Sequence, residues 1–272
     1  MCRLLALAAL WLGCAGVNGQ PLPVRIASLN VCTDQLLLLL VDPARITSLS
    51  LLASDSDYSN LAARAAGVPA NRGQADELLS QQADLVLTSE FSGTLTARLL
   101  QRLGQRVERL GFATSVDEVW QQIRQVAAWT GGDASALIDP AAARVAVAQR
   151  RLREQLSGKT ALFLSSNGVA FGAGTLQDDF LRSSGLRNLA TEAGVTGAAP
   201  LALELLVAAR PDYLIAEPRG ALDRQLAHPL LLHPALARQP QQLLVLRDRW
   251  FDCAGPWIAE AYESLVAQVT LP

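Results

Sequence analysis

The feature that most restricts the fold is an alternation of short strands and short helices, broken once near the middle by two helical runs in succession. From Val24 the chain reads as a strand, "VRIASLN", then an apolar helix, "CTDQLLLLLVD", whose start is marked by Thr33 or Asp34. "RITSLS" is a second strand, "SDYSNLAARAAG" a short helix closed by Gly67, "ADELLSQQ" a helix and "ADLVLTSE" a buried strand. "GTLTARLLQRLG" and "RVERLG" repeat the pair. Strands alternating with helices of this length predict parallel sheets with helices on their faces, because parallel neighbours need a crossover between them.

The interruption is "SVDEVWQQIRQVAAWTG" followed by "DPAAARVAVAQRRLREQLSG". In the second run Ala141, Val145, Ala148, Leu152 and Leu156 fall on one face. Asp139 can cap it, Pro140 suits its first position and Gly158 ends it. This is a rod of about 27 Å at 1.5 Å per residue. Alternation then resumes from "TALFLSS" through "PDYLIAEP", "LLLHPALA" and "QQLLVLR" to a last helix, "PWIAEAYESLVAQV". The two halves share a phrase: "DELLSQQADLVL" at 76–87 and "LELLVAARPDYLI" at 203–215 both read acid, Leu-Leu, a few helical residues, acid, buried strand. The simplest architecture is α/β, with two lobes built on parallel sheets and joined by one long bridging helix. The expected boundaries are 23–115, 116–158 and 159–272.

Composition removes several functions. A formal charge of −2 leaves no basic field for nucleic acid. There is no G-x-S-x-G elbow, and "GVAFGAGT" lacks both dinucleotide spacing and a phosphate-loop lysine, so neither an enzyme nor a bound cofactor is expected. A bare-metal site needs three or four ligands from both halves, and the only histidines, His228 and His233, lie close together before prolines. No metal site is expected.

Residues 1–19 have a secretory layout: Arg3, the apolar run "LLALAALWLG", then small and polar residues before Gln20. "LWLGC" also permits lipidation at Cys14. Either route places the folded part in the periplasm. Of the four cysteines, Cys32 and Cys253 are the two that remain in the mature chain if cleavage falls near Gln20. An oxidising compartment permits a disulfide between them, but their spacing does not predict one, so paired and free thiols both stay open.

"RIASLNVCTDQLLLLL", "GVAFGAGTLQDDFLRSSGLRNLA", "ELLVAARPDYLI" and the closing "RWFDCAGPW" resemble, in their order and spacing, the periplasmic substrate-binding proteins of ABC importers for cobalamin and ferric siderophores. The resemblance covers about residue 23 to the end. It implies a ligand cleft between the lobes, a monomer, and an ABC importer permease in the cytoplasmic membrane as partner. Ligands of open parallel sheets bind at the carboxyl ends of the strands. The residues expected there are Asn30, Cys32, Asp55, Tyr58, Arg72, Glu90 and Phe91 from the first lobe, and Asn167, Phe171, Arg219, Trp250 and Phe251 from the second. Trp250 and Phe251 read as an exposed turn forming part of a cleft wall, and Trp257 as core.

The resemblance further implies that a glutamate on each lobe docks onto permease arginines, and Glu77 and Glu204 stand in the corresponding places. Each would also stabilise the start of its own helix. Cobalamin binders of this family set aromatics against the corrin where this chain has Asp55, Arg72 and Ala198. The order of expected ligands is therefore ferric siderophore, corrinoid, then a haem-like group, with an uncoupled ligand sensor as the alternative to import.

Overall fold

The computed structural model describes residues 21–165, 168–217, 234 and 240–269. In the first lobe the apolar runs form β1 (Ile26–Ser28), β2 (Ile46–Ser50), β3 (Ala70–Asn71), β4 (Leu85–Ser89) and β5 (Val107–Leu110). They pair in parallel in the order β3-β2-β1-β4-β5. The crossovers carry α1 (Val31–Leu40), α2 (Ala62–Ala65), α3 (Ala75–Ser80) and α4 (Thr94–Arg102). Because the chain moves outward from β1 through β2 and β3 and then returns to β4 on its other side, the carboxyl end of β1 is a topological switch point. α1 starts earlier than Thr33 or Asp34: Asn30 is its cap, with its side-chain oxygen accepting from the Cys32 amide at 2.9 Å.

Two long helices follow, α5 (Val116–Thr130) and α6 (Ser135–Leu156). α6 buries Ala141, Val145, Ala148, Leu152 and Leu156, the face read from the sequence. Its start is corrected. Asp133, not Asp139, accepts from the Ser135 and Ala136 amides at 2.9 and 3.3 Å, and Pro140 lies inside the helix. With 22 residues, the rod is about 33 Å long rather than about 27 Å.

The second lobe contains β6 (Thr160–Ser165), β7 (Val169–Phe171), α7 (Leu176–Ser183), β8 (Arg187–Asn188), α8 (Leu189–Glu192), β9 (Ala198–Pro200), α9 (Leu203–Ala209), β10 (Tyr213–Glu217), β11 (Gln242–Val245), α10 (Arg249–Asp252) and α11 (Ile258–Val269). Its sheet runs β11-β10-β6-β7-β9, with β8 beside β6 off that path. β11, β10, β6 and β8 are parallel, but β7 is antiparallel to both β6 and β9, so the all-parallel expectation fails here. The cause is local: Gly168, at φ 72°, donates its amide to the Ser165 carbonyl at 3.0 Å and turns the chain straight back.

One buried cluster runs through α1, α5, α6, β6, α7 and α11 and so belongs to both lobes. Smaller clusters lie on the outer faces, one under α3 and α4 around Leu78, Val86 and Leu100, the other around Leu164, Ala190 and Leu206. The α5 start is tied to α7 by the Val116 amide donating to Asp179 at 2.9 Å. Arg144 of α6 pairs with Glu263 and Glu260 of α11 at 2.6 and 3.2 Å.

The shared phrase marks equivalent elements: α3 leads into β4 beside β1, and α9 into β10 beside β6. The helices start at Ala75 and Leu203, and Gln82 and Arg210, non-glycine residues at φ 51° and 44°, make the matching helix-to-strand turn. Asp84 then accepts from the Val24 and Arg25 amides, both at 2.8 Å, and Asp212 from the Thr160 amide at 2.8 Å. In each lobe the second acid of the phrase pins the entry to the central strand.

Candidate functional site

The parallel strands of the first lobe all end at one edge, and this edge meets the loop after β11. Cys32, in the first turn of α1, is disulfide-bonded to Cys253, just beyond α10. The Asn60 side chain donates to the Arg249 carbonyl at 2.8 Å, and the Arg249 guanidinium donates to the Ser56 carbonyl. The carboxyl ends of β1, β2 and β11 are therefore stitched together along one side. Burial pulls the Arg249 guanidinium below its ordinary pKa, and the neighbouring charge of Arg247 adds to the effect.

The stitch rests on α1. Asn30 donates its side-chain amide to Ser92 Oγ at 2.9 Å, joining the loops after β1 and β4. Gln35 accepts from the Asn60 amide at 2.7 Å. Asp34, fully buried, accepts from the Ser50 amide at 3.1 Å and also from the Ser50 hydroxyl. Burial raises its carboxyl from 3.8 to about 7, against the opposing hydrogen bonds from Ser28 and Ser50.

Beyond the stitch the edge carries exposed apolar side chains. Leu51 and Leu52 follow β2, Phe91 follows β4 and Phe112 follows β5. Phe91 is 70% and Phe112 61% exposed, and their rings lie 4.8 Å apart, tilted by 31°. Such a pair leaves aromatic faces open to a flat or greasy ligand. Asp55 is exposed, with its carboxylate on the Asp57 amide at 2.9 Å, and Tyr58 is half-buried. Arg72 and Glu90 are exposed.

A family model described as periplasmic binding protein matches residues 26–240. The chain belongs to the periplasmic binding protein family. This is a family of extracytoplasmic solute-binding proteins, generally non-enzymatic. No curated protein matches by sequence. Among solved structures, a periplasmic haem-binding protein from Roseiflexus sp. RS-1 is 24% identical, covers 90% of this chain and 97% of its own, and has a TM-score of 0.74. A possible iron-binding protein from Staphylococcus epidermidis is 18% identical, with coverages of 92% and 99% and a TM-score of 0.76. A periplasmic haem-binding protein from Pseudomonas aeruginosa is 22% identical, with coverages of 90% and 92% and a TM-score of 0.70. At these identities the likeness shows the two-lobed fold.

In this periplasmic binding protein the "RWFDCAGPW" loop departs from its expected role. Phe251 is 6% exposed, because it lies in α10 and inserts edge-on between Phe163 and Phe180, each 5.1 Å away. It is core, not cleft wall. Trp257 is core as expected, with its ring nitrogen donating to the Cys253 carbonyl at 2.8 Å. A Cβ on Gly255 would come within 2.2 Å of the Trp257 ring, which explains a glycine there. Trp250 is half-buried, with the Arg247 guanidinium 5.9 Å from its ring centre. Phe171 is half-buried and edge-on to Phe163 at 5.8 Å.

Asn30 and Cys32 are occupied by the cap and the disulfide. Asn167, Arg219, His228 and His233 lie outside the described residues, as do residues 1–19 with Cys14 and the run "LLLHPALA" apart from Pro234. Glu204, in the first turn of α9, is exposed. Its structural counterpart is Asp76, because α3 and α9 align from their first residues, with Leu78 and Leu206 both buried. Asp76 is exposed, whereas Glu77 is half-buried and accepts from the Arg72 amide at 2.8 Å.

Sequence reasoning missed Phe112 and Asp76. Phe112 stands one glycine after its strand, so it becomes visible once β4 and β5 are known to be parallel neighbours. Asp76 needed the halves aligned on their turns, Gln82 with Arg210, rather than on the Glu-Leu-Leu string.

Proposed function

We propose that this protein is the substrate-binding component of an ABC importer, capturing a bulky metal chelate between its lobes and delivering it to the membrane permease. The observation that carries the reading is the exposed Phe91–Phe112 pair at the sheet edge where the lobes meet. A flat macrocycle would gain by covering both rings. The similar structures named above, two haem-binding proteins and a possible iron-binding one, agree with this class. This moves a haem-like or corrinoid ligand ahead of a ferric siderophore. The siderophore stays as second reading because Arg72, exposed beyond β3, suits catecholate or carboxylate oxygens. In this reading the metal enters already chelated, as part of the ligand. For docking, the matched, exposed acids Asp76 and Glu204 are the pair we favour, with Glu77 beside them.

The test is quenching of tryptophan fluorescence by haemin, cyanocobalamin, cobinamide, a ferric catecholate and a ferric hydroxamate, with inner-filter controls. Saturable binding of a tetrapyrrole that weakens at least tenfold in Phe91→Ala/Phe112→Ala supports the reading. Binding of a ferric chelate alone, weakened in Arg72→Ala, selects the siderophore. Silence across the panel removes the chelate assignment.

A further inference from the structure

We propose that the outer face of α4 is a contact surface for anionic phospholipid headgroups. α4 covers the face of the first sheet turned away from the bridging helices, and its inward side, Ala97 and Leu100, is fully buried under that sheet. The outward side is not polar throughout, as a solvated helix face ordinarily is. Leu95, Leu99 and Leu103 follow one another at four-residue spacing and are 79%, 46% and 57% exposed. At 100° per residue they form one row, and Arg98 and Arg102, both exposed, form the row beside it.

The charge on this surface selects the partner. α4 contains no acidic residue, in a chain whose net charge is −2. Neither arginine forms an ion pair among the described residues, whereas Arg106, just beyond, is paired with Glu108 at 3.1 Å. A row of leucines beside unpaired guanidiniums matches a membrane interface, where leucines enter the acyl boundary and arginines meet phosphate oxygens. A protein partner would leave that cation row needing acids of its own. For a solute carrier that must find a membrane-embedded partner, resting on the leaflet confines the search to a surface. The proposed docking acids lie in the first turns of α3 and α9, so lipid contact and permease docking use separate residues.

The experiment is co-sedimentation of the protein with vesicles of 3:1 phosphatidylcholine and phosphatidylglycerol, and with pure phosphatidylcholine, at low and high salt. The expected result is binding to anionic vesicles only, weakened by salt. It should fall by about tenfold or more in both Arg98→Gln/Arg102→Gln and Leu95→Gln/Leu99→Gln. All four positions are solvent-facing, and unchanged circular dichroism and melting temperature would establish that the variants fold. Equal binding to both vesicle types, no binding to either, or anionic binding that both variants retain would overturn the proposal. So would variants that bind vesicles normally but lose affinity for reconstituted permease, which would make α4 a protein-docking face.

Discussion

Cys32 and Cys253, 221 residues apart in sequence, are joined by a disulfide at the line where the carboxyl edges of the two sheets meet. Sequence spacing could not predict that pairing. The fold explains it: α1 begins at the switch point of the first sheet, and the loop after β11 is carried to the same place. Closing so long a loop restricts the unfolded chain strongly, by as much as about 5 kcal/mol in the chain-entropy model. Cys32→Ser/Cys253→Ser, or reduction of the native protein, should lower stability by roughly 2 to 5 kcal/mol. Urea unfolding with and without reductant measures it, and coincident curves would refute the assignment of the disulfide as a main support of the inter-lobe seam.

Asp34 makes stability depend on pH. Burial pushes its carboxyl from the ordinary 3.8 up to about 7, so the folded protein holds this proton more tightly than the unfolded chain does. The contribution is therefore fully present below about pH 4 and is lost as pH rises through about 7, a difference on the order of a few kcal/mol. Asp34→Asn, which keeps a neutral side chain of the same shape, should flatten that part of the profile and raise stability at pH 8. Parallel pH profiles for the wild type and variant would show that folding does not raise the Asp34 carboxyl.

Phe251 separates packing from ligand contact. Enclosed by Phe163 and Phe180, its removal in Phe251→Ala should cost about 3 to 5 kcal/mol. The milder Phe251→Leu should leave ligand affinity within about twofold, a change of under half a kcal/mol. A large loss of affinity in a stable Phe251→Leu protein would return the residue to the cleft wall.

These cases show which parts of the molecule were legible. The two lobes and the buried face of α6 could be read because their information is periodic and local. The reversal at Gly168 could not, since a single tight turn decides whether β7 runs with or against β6. Aromatic type and turn-like surroundings suggested that Phe251 is exposed, but its environment depends on β6 and α7, far away in sequence. The position of Phe91 at the sheet's carboxyl edge was legible from its place after a strand. Its partner Phe112 depends on which strands are neighbours, and Asp34 looked like an ordinary helix-start acid until Ser50 was placed against it.

The alignment of the halves changes which acid should matter for transport. Asp76 and Glu204 share the same position in α3 and α9 and are both exposed, while Glu77 is engaged with the Arg72 amide. If the permease presents a matching cation to each lobe, Asp76→Arg/Glu204→Arg should abolish uptake while chelate affinity stays unchanged. Glu77→Arg should act more weakly, chiefly by freeing the Arg72 loop. Proteoliposome uptake set beside equilibrium binding distinguishes the cases. Normal uptake in the double variant would remove both acids from the docking surface, and loss of uptake in Glu77→Arg alone would mean that the permease reads the Glu-Leu-Leu string rather than the matched helix positions.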